Sequence, residues 1–337
     1  MKELTFEEWR RRWDEWDKIA FAMEAGFDGY CSSSHWGPPA LASNLYPPKG
    51  TPWIFADESG VVVFKRAKRN GRIEAWPMDS GWFLGSPIVS LDYADTLERW
   101  LRKQALANAL PDVLVLSGVP SWSRYASVVG LFLSTTYDLY ALKRTERAVA
   151  SLCGGWDGYL SRRSANFRRS LRKALNRSKR AGWQMEWHEG DSLDHSSLYR
   201  RVLDVEARSW KGQIGSGLST GTMSEFYRLA LPRLTARKAL RLGFLTHDGQ
   251  DIGFILGAVV GERYRGLQFS FDDRYRNLSP GDVMQGLQIR RLVEEEVLEY
   301  DLGTEAPYKI RWAERLEGTE TFVALRPGLS IEAIFAE

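Results

Sequence analysis

Cysteine and histidine are both scarce in this sequence. Among 337 residues there are two cysteines, Cys31 and Cys153, which lie far apart. Two isolated cysteines build neither a disulfide framework nor the paired ligand sets of a zinc site. No metal-ligand spacing occurs among the four histidines, which are His35, His188, His195 and His247. We therefore expect a reducing, cytoplasmic setting and no bound metal.

Long apolar segments are also missing. No run approaches the roughly 20 apolar residues that cross a bilayer, and the opening residues MKELTFEEWRRRWDEWDK are too polar for a secretory signal. We expect no membrane span. The 46 basic residues nearly balance 43 acidic ones, which excludes a chain that is basic throughout, such as a histone. With 44% hydrophobic residues the chain is expected to form a sizeable core.

Acidic residues are absent from one segment that is rich in positive charge. Residues 162–180, RRSANFRRSLRKALNRSKR, contain nine Arg or Lys. Phe167, Leu171 and Leu175 recur at helical spacing, which predicts an amphipathic helix. Either its arginines form a solvated face that pairs with acids elsewhere, or they bind phosphate. Since no nucleic-acid recognition motif surrounds the segment, we do not expect it to bind duplex DNA.

The first half of the chain reads as a three-stranded meander followed by alternating helices and strands. Turns at Ser59-Gly60 and Asn70-Gly71 separate three strand-like runs, and such turns are typical of hairpins. A helix is predicted near 93–108. A buried strand, a short helix and a last strand follow it.

The same order of elements returns in the second half. A second meander is predicted over 239–271, followed by a helix near 283–297, the strand EYDLG, a short helix and a final strand. We predict an α/β fold (α+β, mixed sheet) made by tandem duplication, with domains 1–148 and 149–337. Two unrelated α+β domains are the alternative.

Prolines and glycines crowd residues 35–50, HWGPPALASNLYPPKG, and predict a loop without regular structure. A loop of this length in a compact domain is commonly functional. We expect it to cover a cleft between the two copies. His35 and Trp36 are candidate contacts for an acceptor substrate.

Four segments carry a resemblance to a known family. They are the basic segment, SWKG at 209–212, LSPGDVMQGLQIRRL at 278–292 and YDLGTEAPYKIRW at 300–312. Together they resemble the GNAT acyltransferase fold. The doubled layout is similar to the Fem-type peptidyltransferases and to the bacterial tandem GNAT-like proteins named after cellulose biosynthesis. The first domain matches only in layout, so the resemblance implies a degenerate first domain and a donor-binding second one.

The resemblance also implies how an acyl donor is held. In GNAT folds a strand that diverges from its neighbour, here LQFSF, and the start of the next helix, here Ser279 and Gly281, face the donor and its phosphates. Coenzyme A users carry a glycine-spaced loop there, whereas RYRNLSPGDV has one glycine and a proline without an N–H. Fem-type enzymes, which use aminoacyl-tRNA, lack that loop too, and so do some tandem relatives that use thioesters. The missing loop, the basic helix and the Tyr-Lys pair at 308–309 together lead us to prefer the tRNA acceptor end over a coenzyme A thioester as the partner. We expect neither as a tightly bound cofactor.

Candidate site residues follow from the chemistry of amide formation, in which a carbonyl is polarised and an amine loses a proton. By resemblance, Lys309 stabilises the reacting carbonyl and Tyr308 donates a proton to the leaving atom. Asp301 orients Lys309 or accepts the proton, unless it merely caps a turn. Asp272 is a candidate base or a turn former.

Phosphate contacts are expected on the basic helix, from Arg168, Arg169, Arg172 and Lys173, unless these side chains pair with acids. Trp210 and Lys211 precede a glycine-rich turn and are candidates for binding the acceptor, although a plain helix stop also explains the glycine.

The predicted function is an N-acyltransferase that joins an acyl or aminoacyl donor to an amine by direct attack. An acyl-CoA-dependent N-acetyltransferase is the alternative, and a non-catalytic binding protein on a decayed transferase fold is a further one.

Overall fold

The computed structural model describes residues 1–45, 48–121, 123–142, 144–189, 194–215, 217–218 and 221–335. The strands in this part of the chain are β1 Lys2–Leu4, β2 Thr51–Ala56, β3 Gly60–Arg69, β4 Arg72–Trp76, β5 Ile88–Ser90, β6 Val113–Pro120, β7 Asp138–Ala141, β8 Thr145–Ser151, β9 Gln184–His188, β10 Leu240–His247, β11 Gln250–Val260, β12 Arg263–Phe271, β13 Glu299–Thr304 and β14 Arg315–Leu325. The α-helices are α1 Phe6–Arg10, α2 Trp13–Ala22, α3 Gly29–Ser32, α4 Gly37–Ala42, α5 Tyr93–Leu106, α6 Arg124–Leu133, α7 Gly155–Ser161, α8 Ala165–Arg180, α9 His195–Arg208, α10 Trp210–Gln213, α11 Gly221–Ala236, α12 Pro280–Glu294, α13 Pro307–Ile310 and α14 Ile331–Phe335. A 3-10 helix spans Asp273–Leu278.

The chain divides into two compact units, which are Met1–Glu146 with Glu317–Glu337 (unit 1) and Arg147–Leu316 (unit 2). The structure differs from the predicted domains, 1–148 and 149–337, at the C-terminus, because most of β14 belongs to unit 1. There it pairs with β6 and β7 in antiparallel register. Phe322 and Ala324 of this strand lie in the core of unit 1, so hydrophobic burial holds the C-terminal segment in the first unit.

Unit 1 contains the first predicted meander, β2–β3–β4. Its strands follow the order β1-β2-β3-β4-β6-β14, with β5 pairing β3 and β7 pairing β14. α5 packs its apolar face on this sheet through the fully buried Trp100. Asn70, at φ 49°, and Gly71 turn the chain between β3 and β4, as the sequence predicts.

Part of the segment that the sequence predicts to be an irregular loop is helical. α4 spans Gly37–Ala42 and carries its two prolines in the first turn. The first-turn N–H groups of a helix have no intrahelical partner, so proline loses nothing there. The prediction failed because it treated proline as incompatible with a helix, whereas proline is tolerated in the first turn. Tyr46 and Pro47, at the end of the segment, lie outside the described residues.

Unit 2 contains the second predicted meander, β10–β11–β12, at the predicted place. Its strands follow the order β8-β13-β12-β11-β10-β9. All neighbours are antiparallel except β12 and β13, which are parallel. β8, which spans the predicted boundary at residue 148, pairs with β13. Unit 1, by contrast, completes its sheet with a strand from the C-terminal end of the chain.

The predicted basic helix forms as α8 and packs against α12. A Cβ at Gly286 of α12 would lie 3.0 Å from Leu171 Cδ1, so the two helices approach closely at this glycine. Phe167, near the start of α8, meets the Trp312 ring edge-on at a centroid distance of 4.9 Å. Arg177, near its end, donates a hydrogen bond to the Asn277 carbonyl at 2.9 Å. The end of α8 thus lies beside the segment that leads into α12.

Candidate active site

The predicted site in unit 2 is built around an opening between two parallel strands. β12 and β13 pair over three residues, and the last pair is Arg265 with Asp301. β12 continues as a strand to Phe271, so its second half diverges from β13. Gly303, near the end of β13, has φ 78°, a conformation that glycine adopts readily. The diverging half contains LQFSF, the strand segment that the family resemblance assigns to the donor.

A bulge in β12 lies inside this opening. Leu256 of β11 faces Gln268, and Gly257 faces Gly266, so Leu267 has no residue opposite it on β11. A bulge frees backbone groups from the ladder and re-aims them. The peptide around Leu267 is thus a candidate hydrogen-bonding partner for a substrate carbonyl.

Lys309 lies at the mouth of the opening. Its Nζ donates to the Thr304 carbonyl at 2.8 Å. Burial lowers the pKa of Lys309 to about 8, and although the Asp301 carboxylate acts in the opposite direction, the positive charges of Arg265 and Lys211 lower the pKa further. Lys309 is thus a desolvated side chain. Only its charged form can stabilise a developing negative charge.

Lys211, predicted as an acceptor contact, lies on the other flank of the opening. Ser209 caps α10 by accepting the Gly212 N–H at 3.2 Å, which fixes the intervening lysine. Its Nζ lies 3.1 Å from the Phe269 carbonyl, to which it donates a hydrogen bond, and 3.6 Å from Oε1 of the buried Glu206. Burial lowers the pKa of Lys211. The structure therefore brings two desolvated lysines, from α10 and α13, to the diverging half of β12.

Apolar side chains lie exposed on the same two short helices. Trp210 on α10 and Tyr308 on α13 are both 47% exposed, and Ile214, just after α10, and Ile310 on α13 are exposed as well. The Tyr308 ring packs edge-on against Phe269 at a centroid distance of 5.6 Å. The predicted residues Trp210, Lys211, Tyr308 and Lys309 are thus grouped around the second half of β12.

Asp301 is held too firmly to act as a base. Its carboxylate pairs with Arg147 and, at 3.0 Å, with Arg265, and it accepts the Gly303 N–H at 2.8 Å. Although burial alone would raise its pKa, the charges of Arg265 and Arg147 hold it well below the ordinary range. The geometry favours a structural role over the predicted proton acceptor. Asp301 acts on Lys309 only through its charge, which favours the charged form of the lysine.

Asp272 is likewise occupied. Its carboxylate pairs with Arg208 at 2.9 Å and Arg274 at 2.7 Å, and it caps the following 3-10 helix by accepting the Arg274 N–H. Against the effect of burial, these hydrogen bonds and charges lower its pKa. This geometry agrees with the turn-forming alternative and not with a base.

The predicted phosphate contacts all lie on α8, and they are Arg168, Arg169, Arg172 and Lys173. Arg168 turns back and donates to the Arg163 carbonyl at 2.6 Å. Arg169 donates to the Asn166 side chain at 2.7 Å. Arg172 and Lys173 are exposed. Among the described residues, none of the seven cations of α8 has a carboxylate oxygen within 4.0 Å. In the described part of the chain, the α8 cations therefore do not form the ion pairs that the alternative expected.

The start of α12 offers few amides to a phosphate. Pro280 has no N–H, and the amides of Asp282 and Val283 bond back to the Ser279 carbonyl. Gly281 keeps the remaining amide of the first turn. The Asp282 carboxylate adds negative charge there, which an ion pair with Arg311 offsets. The predicted Ser279 and Gly281 thus stand next to the opening, but they form no stack of free amides.

His35 and Trp36 belong to unit 1 and are buried. The His35 ring contacts Ser33 Oγ at 3.1 Å through Nδ1, and the Trp36 indole donates to Asp79 at 3.0 Å. Burial raises the pKa of Asp79 to about 7. Side chains that are enclosed and bonded internally present no surface to an acceptor, so the structure gives no support to this prediction.

Sequence reasoning missed three buried partners in unit 2. Arg147 and Arg265 neutralise Asp301, and Glu206 holds Lys211. A strand residue such as Arg147 gives no signal of burial in a single sequence. The alternation of Arg263 and Arg265 along a predicted strand was the one available hint, since it places two cations on the same face.

The described residues include no group of three or more His, Cys, Asp or Glu side chains that could hold a metal ion. No described helix is long and apolar enough to cross a membrane.

Comparison with known proteins agrees with this architecture. Residues 165–310 match the family model for an acetyltransferase (GNAT) domain. No curated protein sequence matches significantly. The structure is similar to FemX (TM-score 0.70, 11% identity, all of both chains) and to a conserved protein of unknown function from Bacteroides thetaiotaomicron (0.63, 9%, 94% of this chain and 97% of that one). It also resembles the C-terminal domain of a protein designated lysylphosphatidylglycerol synthetase from Agrobacterium fabrum (0.57, 13%, 96% and 95%). The chain thus carries an acetyltransferase (GNAT) domain within unit 2 and, as a whole, shares the fold of FemX.

Proposed function

We propose that this chain is an N-acyltransferase that joins an activated aminoacyl or acyl donor to an acceptor amine by direct attack. The observation that carries the proposal is the placement of Lys211 and Lys309 beside the diverging half of β12. At pH 7 Lys309 is mainly protonated, because its pKa is about 8. It is a cation held in a poorly solvated site at the edge of the opening.

The cation and the bulge suit the charge that develops during acyl transfer. When the amine attacks, negative charge builds on the carbonyl oxygen, and a fixed cation or N–H group stabilises it strongly away from bulk water. We assign this role to Lys309, with the peptide at Leu267 as a second donor. The new C–N bond forms and the ester or thioester bond breaks. Tyr308 can supply the proton that the leaving oxygen or sulfur takes up. The amine loses a proton to solvent, and Tyr308, which is exposed, takes a proton back from solvent.

The start of α12 favours aminoacyl-tRNA over acyl-CoA as the donor. A pyrophosphate is usually held by several free amides at a helix N-terminus, and here Pro280 lacks one while Asp282 and Val283 use theirs internally. The unpaired cations of α8 offer a larger phosphate-binding surface than one nucleotide needs. Acyl-CoA remains the alternative donor, favoured by the match to the acetyltransferase domain.

The test is transfer from labelled aminoacyl-tRNA to a panel of primary amines by the purified protein. Lys309→Met is expected to reduce the rate by about 100- to 1,000-fold, the usual effect of removing one oxyanion-stabilising group. Lys18→Met, which removes an exposed lysine of unit 1, is the matched control and should retain full activity.

Two further results separate the alternatives. Product formation that survives RNase treatment and requires an acyl thioester would assign the donor to coenzyme A, which should then also raise the melting temperature. If no donor is consumed and Lys309→Met leaves donor affinity unchanged, the protein is a non-catalytic binder.

A further inference from the structure

The outer face of α8 forms a groove lined almost entirely by cations. Its lining residues are Arg169, Arg172, Lys173, Asn176, Arg177 and Arg180. They share one side of the helix, opposite the apolar residues that pack on α12. The groove contains no acidic side chain, so it repels cations and attracts anions.

This lack of acidic partners is unusual within unit 2. Arg162 and Arg163, just before α8, both pair with Glu314. Arg201, in α9, pairs with Glu186 at 2.7 Å and Asp251 at 2.8 Å. The fold thus supplies carboxylates to neighbouring arginines but places none, among its described residues, within ion-pair distance of the cations of α8. Like charges at helical i and i+4 positions destabilise a helix, and an anionic ligand would remove that cost.

The spacing of the cations suits a polyphosphate strand better than a single nucleotide. The lining residues recur once per turn from 169 to 180, and each turn advances about 5.4 Å, which is similar to the separation of successive phosphates in a nucleic-acid strand. Three turns therefore present cations to several consecutive phosphates. Coenzyme A would occupy fewer of them, because it carries one pyrophosphate and one further phosphate.

The groove ends beside the candidate active site. Arg177, one of its lining residues, bonds to the Asn277 carbonyl just before α12 begins. Leu171, on the opposite side of α8, contacts α12 at Gly286. A strand bound along α8 can therefore place its end near the opening between β12 and β13.

We propose that the outer face of α8 binds the phosphate backbone of an RNA strand, at about one phosphate per helical turn. This inference rests on the proposed aminoacyl-tRNA donor and adds the surface that holds it. Contacts of this kind go to the backbone and carry no base specificity. Binding should therefore depend strongly on salt and little on sequence.

The experiment measures binding of uncharged tRNA to the full chain across a series of salt concentrations. Each phosphate contact contributes about 0.7 to 0.9 to the slope of log affinity against log salt. Arg172→Ala/Lys173→Ala should make the slope shallower by about 1.5. Arg200→Ala, which removes an exposed arginine of α9, is the matched control and should leave the slope unchanged. Since alanine favours helix, the double variant should keep the wild-type melting temperature.

The outcomes separate this inference from the proposed function. A shallower slope without any aminoacyl transfer would support the RNA-binding face and refute the donor assignment. Transfer from charged tRNA with an unchanged slope in the double variant would refute the face and leave the function intact. The inference is also overturned if coenzyme A raises the melting temperature of the wild type but not of the double variant, while the double variant still binds tRNA normally. The α8 face would then bind coenzyme A and not RNA.

Discussion

Lys309 combines two requirements that oppose each other. Its role needs a positive charge, yet burial at the opening favours the neutral form and lowers its pKa to about 8. The cationic fraction should therefore fall as the pH rises through 8. If that cation stabilises the transition state, kcat of the wild-type enzyme should decline above pH 8, although the acceptor amine becomes more nucleophilic.

Lys309→Arg tests this assignment, because arginine stays protonated throughout the accessible range. We expect lower activity, since the guanidinium has a different shape, but no decline near pH 8. A decline that persists in the variant would assign it to another group.

The stability of the protein gives a second test of the lowered pKa. The unfolded chain keeps the proton of Lys309 up to about pH 10.4, whereas the folded chain keeps it only up to about pH 8. Wild-type stability relative to Lys309→Met should therefore increase between pH 8 and pH 10.4.

Asp301 should matter to folding more than to the chemistry. In Asp301→Asn the guanidiniums of Arg147 and Arg265 stay buried without their anion, and breaking a buried ion pair in this way typically costs about 3–5 kcal/mol. We expect a loss of that size in the free energy of unfolding, measured with denaturant at pH 7. Glu299→Gln is the control on the same strand. Its partly exposed ion pairs with Arg263 and Arg315 should contribute about 1 kcal/mol or less.

A pH series gives the same prediction for Asp301 by another route. Because its folded pKa is lowered, the unfolded chain binds this proton first as the pH falls below about 4. The stabilisation from Asp301 is present above that pH and is lost below it. An Asp301→Asn variant as stable as the wild type at pH 7 would contradict the structural role.

At the scale of elements, unit 1 contains a similar pair of strands in a closed form. β4 and β6 also pair in parallel, up to Ala75 with Leu114. Beyond that point the unit's own chain fills the space: Ser117 donates to the Gly85 carbonyl at 2.5 Å, and a Cβ at Gly118 would lie 2.6 Å from the Leu84 carbonyl. In unit 2 the diverging half of β12 is instead contacted by side chains of two short helices, Lys211 and Tyr308. This difference supports a single donor site, in unit 2.

Elements that depend on local sequence could be predicted, whereas roles that depend on distant neighbours could not. The two meanders, α5, α8 and α12 follow from hairpin turns and helical periodicity, which are short-range signals. α4 was missed because a proline is harmless in the first turn. The role of Asp301 depends on Arg147, which lies 154 residues away in sequence, and nothing local indicates that the two meet. Lys309 entered the predicted site through the family resemblance, and Lys211 through the glycine-rich turn that follows it.

At the scale of the whole molecule, the exchange of strands could not be predicted from either half alone. β14 belongs to the second copy in the predicted order of elements but completes the sheet of unit 1, and β8 spans the predicted boundary at residue 148 but pairs with β13. A domain boundary predicted from the repeated order of elements assigns each strand to a domain by its position in the sequence, not by the strands it pairs with. The cores show the difference, since Val323 and Leu325 pack with Trp76 and Val113 of unit 1.

This exchange makes unit 1 dependent on the end of the chain. A fragment of residues 1–148 lacks Phe322, Val323, Ala324 and Leu325, which are all buried against unit 1. Burying side chains of this kind contributes about 1.5–3 kcal/mol for each large one, and a domain's total stability is about 5–15 kcal/mol. We therefore expect fragment 1–148 not to unfold cooperatively, as measured by circular dichroism during denaturant titration. Adding residues 317–337 through a flexible linker should restore a cooperative transition, and the same linker followed by a scrambled 317–337 sequence should not. A cooperative transition in fragment 1–148 alone would show that β14 is dispensable and that the first copy completes its own sheet.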